Sequence, residues 1–366
     1  MEQIHKCSNF VAHYTERPSD KVMITFDHFD EGKSKFARPS QNLYGFDRYS
    51  HLHIGSRTND WYTSAGREAL VASCRNVLSK YDSSICFGTS MGAHAALLFG
   101  SIFRSAHVVA ISPRIQLDPD QHPFDSRNLS FVKKTNFLNG DLRLLADSEL
   151  NAVIVYDPFS TFDAAHVKMF QEQFPAWRYL ALPFGGHPAL AGAKSTNTIP
   201  ILARHLAEGR TPLSEVQKIY KSVRAQSPYY WHHHLSHPRY RSNVVKSAAK
   251  VMEAHPDTTK NMLFLLGEKL IKAGDYKNGL PLLRRAYYLT KTPPPWWYKR
   301  LAFREVQFIK RCEISRQKIK TTPVTDHHLT DPGRQTLKYD KSLATTSKAS
   351  GSIWNKLGLS IGRKIW

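Results

Sequence analysis

A serine stands between two glycines in the segment Gly88-Thr89-Ser90-Met91-Gly92. The apolar run before it is typical of a buried strand, and the pattern from Met91 onward is typical of a helix. A serine at a sharp turn from strand to helix exposes its hydroxyl, and only small residues fit two positions before and after it. We therefore predict that Ser90 is a nucleophile that attacks a carbonyl carbon.

A serine hydroxyl becomes reactive when a histidine accepts its proton and a carboxylate orients that histidine. Asp157 directly follows one predicted apolar strand, and His187 follows the next one, after two glycines. Because functional groups in a doubly wound sheet lie at the carboxyl ends of its strands, these side chains are predicted to meet Ser90 there. Asp163, six residues after Asp157, is an alternative for the carboxylate.

The elements that must position these residues alternate along the chain. Short, almost continuously apolar runs predict strands at Val22–Phe26, His51–Gly55, Ser84–Thr89, His107–Ser112, Ala152–Tyr156 and Trp177–Leu182. Helical patterns cover Ala65–Lys80, Met91–Gly100, Phe162–Phe174 and Thr196–Leu206. This alternation predicts an α/β fold with a doubly wound, mostly parallel sheet in residues 1–208. Residues 113–151 interrupt it and are predicted to be a lid-like insertion.

The glycine-flanked serine and the chain order Ser90, Asp157, His187 resemble the α/β-hydrolase superfamily, over about residues 20–207. The resemblance implies that Ser90 is the nucleophile, His187 the general base and Asp157 its orienting carboxylate. It also implies an oxyanion hole, with the backbone N–H of Met91 as one donor. The second donor would come from the loop after the strand Val22–Phe26, where the candidates are His28 and Phe29. The His-Gly dipeptide often seen there is missing.

Arg114 follows the predicted strand His107–Ser112 and would face the same edge of the sheet. It is either a surface arginine or a contact to an anionic group of the substrate. The histidine cluster His232-His233-His234, with His237, has no neighbouring carboxylate in the sequence. We predict a solvated or partner-facing patch there rather than a metal site, and we predict neither a metal nor a cofactor for the chain.

The charge of the chain is divided unevenly. The net charge of +21 is made up of +1 in residues 1–208, +12 in 209–300 and +8 in 301–366. Residues 209–313 are helical in pattern, and the small and apolar positions between Leu263 and Ala286 resemble one tetratricopeptide repeat, with a generic helical hairpin as the alternative. Residues 314–366 are predicted to be a basic, disordered linker that ends in an amphipathic segment. The positive charge suits an anionic membrane surface or a polysaccharide as partner.

Bulk properties limit the compartment and the function class. The four cysteines show no paired spacing, the N-terminus lacks the layout of a secretion signal, and no apolar run is long enough to span a membrane. These observations predict a cytoplasmic protein, with peripheral contact to a membrane as an option. A recognisable nucleic-acid reader motif is missing, so no specific nucleic acid is expected.

An activated serine predicts a serine hydrolase or acyltransferase that works through an acyl-enzyme on a carbohydrate- or lipid-linked ester. Thr58-Asn59-Asp60-Trp61-Tyr62 and Ile111-Ser112-Pro113 are similar to segments of hydrolase-fold proteins associated with bacterial surface polysaccharides, some of which are capsule O-acetyltransferases. A polysaccharide O-acetyltransferase using an activated acyl donor is therefore one alternative. A non-catalytic scaffold protein with a hydrolase-like domain is the other.

Overall fold

The computed structural model describes residues 1–30, 44–238, 240, 242–290, 297 and 307. In its first part, up to residue 208, eight strands form one mixed sheet. The sheet order is β1-β2-β4-β3-β5-β6-β7-β8, and β3 to β8 run parallel to one another. The strands are β1 Glu2–Lys6, β2 Phe10–Thr15, β3 Lys21–Phe26, β4 Ser50–Ser56, β5 Ser83–Thr89, β6 His107–Ile111, β7 Ala152–Tyr156 and β8 Arg178–Ala181. This confirms the predicted α/β class and its mostly parallel sheet.

Two strands were not predicted from the sequence. β1 and β2 form an antiparallel hairpin, and β2 also pairs antiparallel with β4 at one side of the sheet. β1 is polar and largely exposed, as is common for an edge strand, so it lacks the apolar run that marks a covered strand. The six predicted strands agree with β3 to β8 within a residue or two at their ends.

Helices cover both faces of this sheet. On one face, α1, α2 and α5 bury residues such as Leu70, Ala96 and Phe170. On the other face, α6 and α7 bury residues that include Leu202 and Tyr220. The helices are α1 Arg67–Leu78, α2 Met91–Phe103, α3 Leu129–Val132, α4 Leu142–Leu145, α5 Thr161–Gln173, α6 Ile199–Glu208, α7 Leu213–Val223, α8 Pro228–Ser236, α9 Ser242–Met252, α10 Lys260–Lys272 and α11 Tyr276–Tyr288.

The helices that follow the sheet build a third apolar cluster. This cluster begins at Leu235 of α8 and continues through α9, α10 and α11. In the hairpin of α10 and α11, a Cβ on Gly267 would lie 2.9 Å from the carbonyl oxygen of Gly279, and a Cβ on Gly279 would lie 2.9 Å from that of Gly267. The two helices therefore cross at backbone contact, which explains why both positions are glycine.

Three statements about organisation stay predictions. These are the domain boundary after residue 208, the tetratricopeptide-like character of residues 209–313, and the lid-like role of residues 113–151. Helix α7 lies beyond that boundary, yet it packs Val216 and Tyr220 into the cluster on the sheet. The predicted linker and amphipathic tail, residues 314–366, lie outside the described residues.

Candidate active site

Ser90 lies at the sharp turn between β5 and α2, with backbone angles of φ 54° and ψ −117°. Its N–H donates to the carbonyl oxygen of Ile111 on the neighbouring strand, at 2.8 Å, which holds the turn against the sheet. A positive φ is costly for a residue with a side chain and persists where the surroundings enforce it. The structure therefore has the strained turn that was expected around Ser90.

The two flanking glycines are required by close backbone approach. A Cβ on Gly88 would lie 1.9 Å from the carbonyl oxygen of Gly92, which is a severe clash. A Cβ on Gly92 would lie 2.9 Å from the carbonyl oxygen of Asp27, at the end of β3. The strand, the turn and the helix can approach this closely because both positions lack side chains.

The imidazole of His187 reaches Ser90 from the loop after β8. Its Nε2 lies 2.8 Å from Oγ of Ser90, within hydrogen-bond distance. The side chain of His187 is 32 % exposed, so the imidazole is accessible from solvent. A neutral imidazole protonated on Nδ1 can accept the Ser90 proton at Nε2.

The carboxylate on the other side of this imidazole is that of Asp163. Nδ1 of His187 lies 3.0 Å from Oδ2 and 3.1 Å from Oδ1 of Asp163. Asp163 is in the first turn of α5, which is capped by Ser160, and its side chain is only 1 % exposed. The structure therefore places the alternative carboxylate, Asp163, beside the imidazole. This corrects the expectation that Asp157 is the partner of His187.

Asp157 serves the backbone of the loop instead. Its Oδ1 accepts from the N–H groups of Phe159, at 2.9 Å, and Phe184, at 3.0 Å, and its Oδ2 accepts from Gly186, at 2.9 Å. With its oxygens turned to these N–H groups, Asp157 holds the chain around His187 rather than the imidazole. Both aspartates follow β7, and sequence order alone could not separate them because helix α5 turns Asp163 back toward the sheet edge.

Burial and hydrogen bonding act differently on these two carboxylates. Burial raises the pKa of Asp157 above its ordinary value, and its three backbone N–H donors only partly oppose this rise. Burial also favours a higher pKa for Asp163, but hydrogen bonding to His187 and the charge of Arg127 hold that pKa below its ordinary value. Asp163 is therefore ionised at neutral pH.

The predicted oxyanion donors lie around the same turn. Met91 is the first residue of α2, where a helix offers N–H groups without intrahelical acceptors. His28 and Phe29 lie in the loop after β3; His28 is exposed, and the half-buried ring of Phe29 packs on Trp61 at 5.7 Å between centroids. Whether Met91, His28 and Phe29 stabilise an oxyanion stays a prediction.

Side chains of the segment 58–62 support this loop. Asn59 donates to the carbonyl oxygen of Asp30 at 2.6 Å and accepts from the N–H of Asp30 at 3.1 Å. The hydroxyl of Tyr62 accepts from the N–H of Asp27 at 2.8 Å and donates to the carbonyl oxygen of Ile54 at 2.9 Å. These contacts position the loop that carries His28 and Phe29.

Arg114 was expected to be either a surface arginine or a contact to an anionic group of the substrate, and the structure places it inside the protein. Its side chain is 9 % exposed, its Nε lies 3.2 Å from Oδ2 of Asp125, and its Nη2 donates to the carbonyl oxygen of Arg127 at 2.8 Å. The guanidinium also lies over the ring of Trp61, 5.1 Å from its centroid. Burial lowers the pKa of Arg114 to about 10, so it is still charged at neutral pH. Arg114 is an internal ion-pair partner and not a surface arginine. Its contact with a substrate stays a prediction.

Sequence reasoning missed Arg127, which lies in the insertion between β6 and β7. Its Nη1 is 2.8 Å from Oδ1 of Asp163 and 3.2 Å from Nδ1 of His187. Its Nη2 is 2.7 Å from Oδ2 of Asp125. The sequence contained one relevant signal, an aspartate two residues before the arginine, but that pattern does not reveal contact with a residue 36 positions away.

The histidine cluster of α8 packs against the loop that carries His187. A Cβ on Gly186, whose φ is +79°, would lie 2.1 Å from Nε2 of His233. His234 stacks on the ring of Phe184 with centroids 3.8 Å apart. Burial is the main cause that lowers the pKa of both histidines to about 4. His233 and His234 are therefore neutral at neutral pH, and both are half-buried where they pack on the loop. Whether the cluster also faces a partner stays a prediction.

Known proteins were compared with this chain as a whole. No protein-family model and no curated protein sequence matches it. Solved structures are similar in arrangement, among them the capsule O-acetyltransferase of Neisseria meningitidis serogroup A, with 18% identity, a TM-score of 0.40, and coverage of 54% of this chain and 93% of that one.

Two other solved structures overlap with this chain to a similar extent. An esterase of Pyrococcus furiosus has 18% identity and a TM-score of 0.35, with coverage of 58% and 86% of the two chains. An alpha/beta hydrolase from the metagenome of lagoon sediments at Mar Chica, Morocco, has 11% identity and a TM-score of 0.36, with coverage of 56% and 98%. At such identities, the roles of residues in this chain have to be argued from its own geometry.

Two further properties concern the described part of the chain. Within it, no cluster of three or more His, Cys, Asp or Glu side chains is arranged to hold a metal ion. None of its helices combines the length and apolar character needed to cross a bilayer.

Proposed function

We propose that this chain is an α/β-hydrolase-type serine hydrolase or acyltransferase that works through an acyl-enzyme on Ser90. The observation that carries the proposal is the continuous set of hydrogen-bond distances from Oγ of Ser90 through His187 to Asp163, at 2.8 Å and 3.0 Å. A serine, an imidazole and a buried carboxylate in this order are the groups that nucleophilic acyl transfer requires. The strained backbone of Ser90 supports the same assignment, because strain of this kind collects at functional sites.

In the proposed mechanism, Oγ of Ser90 attacks the carbonyl carbon of an ester or thioester while Nε2 of His187 accepts its proton. Asp163 stabilises the imidazolium and keeps Nδ1 protonated. The N–H of Met91, with a second N–H from His28 or Phe29, would bind the oxyanion. His187 then gives its proton to the leaving group, and an acceptor hydroxyl attacks the acyl-enzyme with His187 again as base.

The acceptor decides between hydrolysis and transfer. Water as acceptor makes the protein an esterase, and we propose a carbohydrate- or lipid-linked ester as its substrate class. A sugar hydroxyl as acceptor, with an activated acyl donor, makes it a polysaccharide O-acetyltransferase. The similarity of the segment 58–62 to polysaccharide-associated proteins supports the O-acetyltransferase as a second candidate.

The test begins with a fluorophosphonate probe, which labels an activated serine whatever the natural substrate is. We expect labelling of the wild type at Ser90 and none of Ser90→Ala, with the melting temperatures of the two proteins compared as a control for folding. Absence of labelling in the folded wild type would favour the non-catalytic scaffold instead. Turnover of acetyl-CoA and of simple acyl esters is then compared, with and without glycan acceptors. Release of CoA that requires a glycan identifies a transferase, and acceptor-independent ester cleavage identifies a hydrolase.

We further propose that residues 209–366 hold the protein at an anionic membrane surface or polysaccharide. The support is charge: +12 in residues 209–300 and +8 in 301–366, against +1 in residues 1–208. Removing residues 301–366 should weaken co-sedimentation with vesicles rich in anionic lipid, or with an acidic polysaccharide, and should spare cleavage of a small soluble ester. Equal loss of both properties would contradict this division of roles.

A further inference from the structure

The insertion between β6 and β7 contains the same local motif twice, an aspartate followed two residues later by an arginine. In Asp125-Ser126-Arg127 and in Asp141-Leu142-Arg143, the arginine N–H donates to Oδ1 of the aspartate at 3.0 Å. In both motifs, Nε of the arginine donates to the same Oδ1 at 2.9 Å. Nη2 reaches Oδ2 at 2.7 Å in the first motif and 2.6 Å in the second. The two arginines are thus held by matching local contacts.

The two arginines differ in what else they contact. Arg143 uses its Nη2 to donate to the side-chain oxygen of Gln121 at 2.8 Å, away from the catalytic residues. Arg127 points its Nη1 at Asp163, at 2.8 Å, and places it 3.2 Å from Nδ1 of His187. Its guanidinium lies 4.8 Å from the ring centroid of Phe162, the neighbour of Asp163. The local motif alone does not require these contacts, since Arg143 satisfies it without them.

We propose that Arg127 is a positioning residue that anchors Asp163 and sets the pH range in which His187 works as a base. The proposal rests on the function proposed above. Arg127 joins two buried carboxylates through one planar group, a geometry that suits a guanidinium and not an ammonium. Asp125 at the far side is held in turn by Arg114, at 3.2 Å, and by His166, at 3.0 Å, so the arginine has a fixed support.

The groups that face His187 determine the sign of the effect. Ser90 lies at Nε2, Asp163 and Arg127 lie at Nδ1, and His233 of α8 packs against the adjacent Gly186. Asp163 favours the imidazolium and the cation of Arg127 disfavours it. His233 is neutral at neutral pH because its pKa is about 4. Loss of the Arg127 charge would therefore favour the imidazolium, and His187 would lose its function as base at a higher pH.

The experiment measures the second-order rate of Ser90 labelling by a fluorophosphonate as a function of pH, whose acid limb reports the protonation of His187 in the free enzyme. For Arg127→Gln we expect the acid limb to move up by about 1 pH unit, the scale of a nearby charge. For Arg127→Lys, which keeps a positive charge, we expect the acid limb to stay within about 0.3 units of wild type and the plateau rate to fall. Arg143→Gln is the matched control and should leave both unchanged.

An unshifted acid limb in folded Arg127→Gln would overturn the proposal, as would an equal shift in Arg143→Gln. If Arg127→Gln does not fold, Arg127→Lys decides, because an acid limb raised by a full unit in that variant would contradict a role of charge. Wild-type labelling separates this inference from the proposed function. If the wild type is labelled and Arg127→Gln titrates like it, only the role of Arg127 fails; if the wild type is not labelled at all, the proposed function fails first.

Discussion

The turn that carries Ser90 and the loop that carries His187 are held in different ways. The turn is fixed by backbone contacts: the close approach of Gly88 to Gly92 within it, the approach of Gly92 to Asp27, and the hydrogen bond from Ser90 to Ile111. The loop around residues 183–188 is fixed by side chains from distant segments. Asp157 holds its N–H groups, while Tyr220 and Arg224 donate to the carbonyl oxygen of Pro183 at 3.1 Å and 3.3 Å.

This difference shows that backbone contacts hold one half of the candidate site and side chains hold the other. The tight turn lies within five consecutive residues between a strand and a helix, and its outside contacts are with the backbone of Asp27 and Ile111. The loop needs contributions from α5, from the insertion at 113–151 and from α7 and α8, helices that lie in the basic part of the chain. Residues 213–236 thus support the loop directly, a role that the charge of this region did not suggest.

The largest loss of labelling and of stability is expected from Gly88→Ala, which disturbs the turn that carries Ser90. Its Cβ would meet the carbonyl oxygen of Gly92 at 1.9 Å, so the backbone of the turn has to move. We expect loss of measurable labelling at Ser90 and destabilisation by about 3 kcal/mol, in the range of overpacked or strained sites. Chemical denaturation and probe labelling measure the two effects.

Gly274→Ala is the control for this variant. Gly274, unlike Gly88, has a positive φ, of +84°, and a Cβ there would meet nothing within 4 Å. It should therefore show only the conformational cost, about 1 kcal/mol, with labelling retained. Similar losses of activity in both variants would contradict the view that close packing holds the turn.

The next largest effect is on the labelling rate, and it should differ between substitutions of Asp163 and of Asp157. Asp163→Asn should favour the wrong imidazole tautomer and lower the labelling rate by about 10²- to 10⁴-fold. Asp157→Asn should act through the loop backbone alone and lower the rate by about 10-fold, because one amide oxygen can still accept some of the N–H groups. If Asp157→Asn were the more damaging change to the labelling rate while its melting temperature stayed near wild type, Asp157 rather than Asp163 would be the orienting carboxylate.

A smaller effect is expected from His233→Ala, which opens space beside Gly186. The loop would gain freedom, and we expect kcat on a soluble ester to fall by about 3- to 10-fold with little change in KM, since placement of the base affects the chemical step. His233→Phe should restore most of the rate because a flat ring again fills the space. Ser236→Ala, at an exposed position of the same helix, should behave as wild type. A larger change in KM than in kcat would point to a contact with substrate instead.

The smallest effect is on stability at acid pH. His233 has a pKa of about 4 in the folded chain and about 6.5 when unfolded, so the unfolded state takes up protons first as the pH falls. Its contribution to stability is complete above pH 6.5 and is lost as the pH falls toward 4. The two pKa values correspond to about 2 kcal/mol between pH 6.5 and 4.5. Because solvent reaches the half-buried ring, we expect about half of this, about 1 kcal/mol less loss of unfolding free energy in His233→Phe than in wild type. Urea denaturation at several pH values measures this difference. The same dependence of unfolding free energy on pH in both proteins would contradict it.

Much of the parallel sheet, the turn at Ser90 and the position of His187 after the last strand could be predicted from the sequence. Covered strands have continuous apolar runs, and a turn between strand and helix needs glycines at definite positions. The choice of Asp163 over Asp157, the burial of Arg114, the contact of Arg127 with Asp163 and the packing of His233 on Gly186 depended on the tertiary structure. They depend on which side chains meet across 11 to 60 residues, and the sequence distance carries no information about that. In this chain, local sterics determine where Ser90 stands, and long-range packing decides which groups hold His187 beside it.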